Sequence, residues 1–212
     1  MEIMKVFKFV ILLIIVLLAS CGSSDTTTND AKEEVAVCSC PSCTIYLQPY
    51  GDFSEEEATK LVNVLKTNFN KFLDGYWTFK VLPARELPKQ AFVDGYNKYE
   101  ALAILKDLKT HFNPHNDEVY IGLTHKDICK DIHGYEHYGI VGLSYMPGTV
   151  CVVSDRRLSD KSMVWKPVLH EFMHAFYGAK HCPNDDRHCF MVDVKGHGNF
   201  GVQNTLCDSC RR

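Results

Sequence analysis

Apolar side chains recur at helical spacing in several stretches of the chain. The first begins at Ser54, which forms a capping-box pattern with Glu57, and its apolar stripe runs from Ala58 to Leu73. A second helix is predicted over residues 97–112 on the same spacing. A third begins near Pro167, because proline suits the first position of a helix. The stripes on the first two helices predict faces that pack against a core.

Five shorter stretches have the patterns of strands. They are residues 44–50, 76–82, 119–124, 139–144 and 149–154. Strands and helices mixed in this order predict an α+β domain built on a sheet. Beyond residue 181 the chain has little regular periodicity, so an irregular C-terminus is expected.

Length and composition narrow the class of protein. With 212 residues, of which 46% are hydrophobic, the chain can bury the core of one domain of moderate size. Its net charge of −3 offers no basic surface, so nucleic acid is not an expected partner. The ten cysteines make bound metal or disulfides an expected feature.

The first twenty residues have the features of a secretion signal. Lys5 and Lys8 precede an apolar run over 9–19, which is too short to span a bilayer as a stable helix. The sequence Leu-Ala-Ser-Cys at 18–21 resembles a bacterial lipobox. Residues 1–20 are therefore expected to be a lipoprotein signal peptide, and Cys21 the lipidated first residue of an extracytoplasmic, membrane-anchored protein of the cell envelope. An ordinary signal peptide and an uncleaved anchor are the alternatives.

Residues 21–43 are predicted to form a flexible tether that ends in a cysteine cluster. The part from 22 to 34 is small and polar and cannot bury a core. Cys38, Cys40 and Cys43 could bind metal, or form one disulfide with one thiol left free, and they indicate no function. The folded domain is expected over residues 44–212.

The chemistry of the domain is indicated by His170-Glu171-Phe172-Met173-His174. On a helix, residues four apart lie one turn above each other on one face, so His170 and His174 can hold one Zn²⁺. Glu171 lies beside them, where it can take a proton from a zinc-activated water. A helix with two surface histidines and no metal is the alternative interpretation.

His181 is the candidate for the third zinc ligand. On a continuing helix it would lie about 10 Å along the axis from His174, at about 1.5 Å per residue, too far to share a metal. The chain must therefore leave the helix and fold back. Gly178 can end the helix, because glycine accepts the left-handed conformation.

These residues resemble the metzincin pattern HExxHxxGxxH, with one extra residue between His174 and Gly178. Cys182 follows His181 directly, Cys189-Phe190-Met191 comes next, and a CxxC pair closes the chain. The combination resembles the archaemetzincin family, and the glycine-rich stretch 139–158 and the strand in 119–128 are similar to it as well. The cysteine spacings differ from the usual ones. The resemblance covers about residues 44–212.

The resemblance implies a fold and a set of ligands. The expected fold is a metzincin-like catalytic domain: a mixed twisted sheet, two packing helices, an active-site helix and an irregular C-terminus held by zinc. Two Zn²⁺ per chain are expected, one catalytic and one structural. The ligands would be His170, His174 and His181 for the first and Cys182, Cys189, Cys207 and Cys210 for the second. Met191 would supply the methionine of the Met-turn, and two disulfides are the rival interpretation of the four cysteines.

The predicted function is that of a zinc metallopeptidase with Glu171 as general base. It would act as a monomer on peptide or protein substrates. Two alternatives stay open: a non-catalytic zinc-binding surface lipoprotein on a metzincin scaffold, and a disulfide-stapled binding domain without metal at the histidines.

Other histidines and cysteines carry weaker predictions. A loop histidine is by default a surface residue, although His133 and His137 could flank a substrate cleft. Cys129 and Cys151 could pair if the fold brings them close.

Overall fold

A computed structural model of the chain describes residues 41–132, 134–194 and 200–211. The chain divides into two units, Met1–Cys38 and Ser39–Arg212, and the description that follows concerns the second. The predicted signal peptide, the lipidation site Cys21 and most of the tether lie outside the described residues. In the described ranges, no helix is long and apolar enough to cross a lipid bilayer.

Three α-helices and nine strands form the described part of the domain. The helices are α1 (Glu55–Phe72), α2 (Ala101–Phe112) and α3 (Trp165–Tyr177). The strands are β1 (Ser42–Pro49), β2 (Tyr76–Val81), β3 (Phe92–Val93), β4 (Lys98–Glu100), β5 (Glu118–Thr124), β6 (Ile128–Ile132), β7 (Tyr135–Ile140), β8 (Gly142–Ser144) and β9 (Val150–Ser154). The predicted α+β class is confirmed.

The larger sheet has five strands in the order β2-β1-β5-β9-β8. Neighbouring strands are parallel except β8, which runs antiparallel to β9 at one edge. Parallel strands are covered by helices on both faces, and the side chains of this sheet divide accordingly. Along β5, Val119, Ile121 and Leu123 enter the core that contains α1 and α3, whereas Tyr120 enters the core that contains α2.

Local sequence signals set the boundaries of the first helix. Ser54 accepts a hydrogen bond from the backbone N–H of Glu57, and the Glu57 carboxylate accepts one from the N–H of Ser54, so the predicted capping box is confirmed. Its buried stripe includes Ala58, Leu65 and Phe69, and Phe69 contacts Phe172 of α3 at 4.9 Å between ring centroids. The first helix thus supports the one that carries the histidine motif.

The smaller sheet was not predicted from the sequence. It has four strands in the order β3-β4-β6-β7. The predicted helix over 97–112 begins only at Ala101, because residues 98–100 form β4, in which Tyr99 and Glu100 pair with β6. The predicted strand over 139–144 is two strands, β7 and β8, which belong to different sheets. This division places the β6–β7 hairpin beside the edge strand β8.

Candidate active site

Helix α3 carries the histidine motif and ends where the sequence predicts. It begins at Trp165, two residues before Pro167, and Gly178 follows its last residue with a φ of 60°. Ala179 N–H then donates to the carbonyl of Met173, which closes the turn. The extra residue in the motif is therefore one more helical residue, and the chain turns back directly after it.

His170 and His174 present one nitrogen each to the same point. Their Nε2 atoms lie 2.9 Å apart. His170 donates its Nδ1 hydrogen to the carbonyl of Phe190 at 2.7 Å, and His174 donates to that of Ala179 at 2.5 Å. The tautomer is thereby fixed, so that each neutral ring turns an unprotonated Nε2 toward the other. Burial lowers the pKa of both imidazoles to about 4.

The turn at Gly178 brings His181 back to this pair. Its ring centroid lies 5.3 Å from that of His170 and 4.8 Å from that of His174. One nitrogen from each of the three rings lies within 4.8 Å of the others. The His181 side chain is 48% exposed, so the group of three histidines opens to solvent on that side.

Glu171 lies under the edge strand β8, where two residues fix it. Ser144 Oγ contacts the Glu171 carboxylate Oε2 at 2.5 Å and its backbone carbonyl at 2.8 Å. Gly142 leaves the space that the carboxylate occupies, because a Cβ there would lie 2.5 Å from Oε1. Burial raises the pKa of Glu171, and the Ser144 hydrogen bond opposes that rise.

A cleft of about 920 Å³ opens over these residues. The histidines, Glu171 and the edge strand form one side of it. The β6–β7 hairpin forms another, through Lys130, Ile132, Tyr138 and Ile140. The cleft is open, and its lining combines apolar side chains with a few charged ones. It can therefore admit an extended chain beside the Glu171 carboxylate.

The four C-terminal cysteines lie together. Their sulfur atoms are all within 4.8 Å of one another, and the Sγ atoms of Cys182 and Cys207 are 3.6 Å apart. A disulfide would need about 2.05 Å, and all four are free thiols. Backbone contacts hold the surrounding segment: Cys182 N–H donates to Met191 and Phe190 N–H to Thr205. Met191 is fully buried, and its role in a Met-turn stays a prediction.

The sequence also singles out two pairs of residues, Cys129 with Cys151 and His133 with His137. Cys129 and Cys151 are both buried free thiols, and they lie on strands of different sheets. His137 lies on β7, but it does not line the cleft, whereas the next residue, Tyr138, does. His133 lies outside the described residues.

Ser144 and Gly142 were missed by the sequence interpretation, because nothing local to them indicates a contact with Glu171.

The helix, the glycine turn and the returning histidine, all beneath an antiparallel edge strand, define a metzincin-like domain. The particular fold is that of the archaemetzincins. An archaemetzincin of Methanopyrus kandleri superposes with a TM-score of 0.65 and 24% identity, over 80% of this chain and 91% of that one. One of Archaeoglobus fulgidus, complexed with malonate, gives 0.61 and 24%, over 79% and 97%. No protein-family model matches the chain, and no curated protein does.

Proposed function

We propose that the protein is a zinc metallopeptidase of the archaemetzincin type. The observation that carries the proposal is the pair of Nε2 atoms of His170 and His174, 2.9 Å apart. Both rings donate their Nδ1 hydrogens to carbonyl groups. Two lone pairs at this separation repel each other unless a cation or an added proton lies between them. His181 supplies a third nitrogen, and three imidazoles are a donor set that suits Zn²⁺.

Two zinc ions per chain are part of this proposal. The three histidines would hold the catalytic ion. Cys182, Cys189, Cys207 and Cys210 would hold the structural ion, because four thiolates can close a tetrahedral site. The 3.6 Å separation of two of the sulfur atoms is in the range of ligands that share a metal, about 3.8 Å for Zn–S distances of about 2.3 Å.

The chain's own residues would perform the proton transfers of peptide hydrolysis. When bound, zinc supplies Lewis acidity, which polarises the scissile carbonyl and makes water a better nucleophile. Glu171 would accept the proton of the attacking water and pass one to the leaving amine. Ser144 and Gly142 would hold the Glu171 carboxylate in place from the edge strand. The open cleft would accept the peptide, with the β6–β7 hairpin as its opposite wall.

The cellular location of the activity is proposed from the sequence alone. The lipobox-like residues 18–21 favour a mature chain that begins at lipidated Cys21 and stays anchored to a membrane of the cell envelope. The substrate would then be an extracytoplasmic peptide or an unfolded protein segment. Net charge and composition give no reason to propose nucleic acid as a partner. A monomer is proposed, because one chain supplies every residue of the proposed site.

The test is cleavage of a diverse peptide library by the full chain, with Glu171→Ala and Glu171→Gln alongside. We expect cleavage by the wild type and none by either variant, while all three retain equal zinc. Glu56→Gln is the matched control, because Glu56 is an exposed carboxylate on α1. Full activity in Glu171→Gln would refute the mechanism. Zinc at the histidines of a wild type that cleaves nothing would favour the non-catalytic zinc-binding lipoprotein.

A further inference from the structure

A third group of metal-binding side chains lies in the smaller sheet. The strand register brings it together: Glu100 of β4 pairs with Cys129 of β6, and Cys129 pairs with Gly139 of β7. His137 lies two residues before Gly139 on the same strand. Side chains at paired and diagonal positions share one face of a sheet. Three adjacent strands therefore contribute a carboxylate, a thiol and an imidazole to one place.

The separations of these atoms are close to those of ligands on one metal ion. His137 Nδ1 lies 2.8 Å from Glu100 Oε1, and Cys129 Sγ lies 3.7 Å from the same oxygen. All three atoms are within 4.8 Å of one another. A tetrahedral zinc with ordinary bond lengths would separate sulfur from oxygen or nitrogen by about 3.5 Å and nitrogen from oxygen by about 3.3 Å. Bringing the nitrogen–oxygen separation from 2.8 Å to that value takes a shift of about 0.5 Å.

The surrounding residues position these side chains and leave them accessible to an ion from solvent. Cys129 is fully buried, while the side chains of Glu100 and His137 are 28% and 25% exposed. The backbone N–H of His137 donates to Asp131 Oδ1, and Lys98 Nζ donates to its carbonyl, so both backbone groups of His137 are held. Asp131 Oδ1 is also 3.9 Å from His137 Nδ1, close enough to become a fourth ligand.

Charge in the group favours a cation. Glu100 and Asp131 are acidic and lie beside the imidazole, and Lys98 is bound to the backbone carbonyl of His137. The guanidinium of Arg157 fills the space at Gly139, but Asp127 holds it through two contacts of 2.7 and 2.8 Å. The charge of Arg157 is thereby already paired, and the Lys98 ammonium is engaged by the His137 carbonyl.

Two other interpretations of Cys129 fit less well. A nucleophilic thiol needs a base, yet the contacts of Cys129 Sγ are with the Glu100 carboxylate at 3.7 Å and the Tyr99 carbonyl at 3.6 Å, and the neighbouring imidazole contacts that same carboxylate. Burial, together with the charge of Glu100, raises the pKa of Cys129 to about 12, so the thiol is protonated unless a cation displaces the proton. A disulfide with Cys151 is not present, since both thiols are free.

We propose that Glu100, Cys129 and His137 form a third metal site, completed by Asp131, for a divalent cation of the zinc class. One thiolate, one imidazole and carboxylate oxygens form a mixed set that suits such borderline cations better than Mg²⁺ or Ca²⁺. The ion would join β4, β6 and β7. On the β6–β7 hairpin, Lys130, Ile132 and Tyr138 alternate with these ligands and line the cleft. The site would therefore stiffen one wall of the cleft without contacting the histidine centre.

The test is the number of zinc ions per chain after equilibration with Zn²⁺ and removal of the excess. Cys129→Ser, His137→Gln and Glu100→Gln should each hold one ion fewer than the wild type. Cys151→Ser and His111→Gln are the matched controls, since Cys151 is a buried thiol and His111 an exposed imidazole, both outside the three groups of metal-binding side chains among the described residues. The controls should hold the wild-type number.

The difference from the wild type is informative whether or not the other two groups bind zinc, so failure of the proposed peptidase function leaves this test intact. Circular dichroism checks that each variant folds. If the buried Cys129→Ser does not fold, the part-exposed His137→Gln decides. A wild-type zinc count in folded His137→Gln would overturn the proposal.

Discussion

Replacing Ser144 with alanine removes one hydroxyl group from the edge strand and nothing else. That hydroxyl lies 2.5 Å from the Glu171 carboxylate and 2.8 Å from the Glu171 carbonyl, across 27 residues of sequence. Glu171 is only 7% exposed, so water can replace the lost donor poorly. The carboxylate is then less well oriented and less well stabilised as an anion. We expect turnover to fall while substrate binding and zinc content stay close to wild type.

The size of the loss follows from the kind of hydrogen bond. A hydrogen bond to a charged group contributes about 1.5–3 kcal/mol. At about 1.4 kcal/mol for each factor of ten, kcat should fall roughly tenfold to 150-fold. Removing the carboxylate itself in Glu171→Ala should cost more, because the base is then absent rather than misplaced.

The assay is kcat and KM on the best peptide from the library, with Ser162→Ala as the matched control. Ser162 also contacts a carboxylate, Asp160 Oδ1 at 2.6 Å, but it is exposed and outside the cleft. The control should keep wild-type kcat. A Ser144→Ala protein with wild-type kcat would refute the assigned role of this hydroxyl, and a rise in KM alone would place Ser144 in substrate binding instead.

Three further predictions follow from the same site and its C-terminal segment. Gly142→Ala places a Cβ against the Glu171 carboxylate, 2.6 Å from Cγ, so a peptide assay should show turnover lost with zinc retained. Lys166→Met removes two hydrogen bonds of 2.6 Å to the carbonyls of Phe200 and Gln203. The variant no longer has to desolvate a buried ammonium, which offsets part of the loss, so a net cost of about 2 kcal/mol should lower Tm by about 4–8 °C. Lys60→Met, at an exposed lysine, should leave Tm close to that of the wild type. Chelation should open residues 182–211 to limited proteolysis, whereas a reducing agent alone should not; the reverse result would favour disulfides at the four cysteines.

The elements that could be predicted from the sequence are those fixed by neighbouring residues. The first helix has its capping box and stripe within a few turns, and its boundaries are close to those predicted. The helix predicted over 97–112 begins four residues later, at Ala101, because Tyr99 and Glu100 pair with β6, and that pairing has no local signal. The second sheet was missed for the same reason: its strands are short, and they are joined by contacts between distant segments.

In the candidate site as well, contacts between residues close in sequence could be predicted, whereas contacts between distant segments could not. His170 and His174 could be predicted to meet because four residues on a helix fix their separation, and Gly178 indicated the turn that returns His181. Ser144 could not be predicted, because its contact depends on how β8 lies over α3. The group of Glu100, Cys129 and His137 depends on the register of three strands, which the sequence does not show before the sheet is known.

The two predicted zinc ligand sets are coupled through the covalent chain. His181 and Cys182 are consecutive, so an ion held by the cysteines would fix the start of the segment that delivers the third imidazole. Cys189 and Phe190 are consecutive as well, and the carbonyl of Phe190 accepts the hydrogen bond that orients His170. A segment without periodicity has little core of its own to position these groups. An ion held by the four cysteines would therefore act on two of the histidines. It would act on His181 through the adjacent Cys182, and on His170 through the Phe190 carbonyl, which is a physical reason for the two ligand sets to interleave in the sequence.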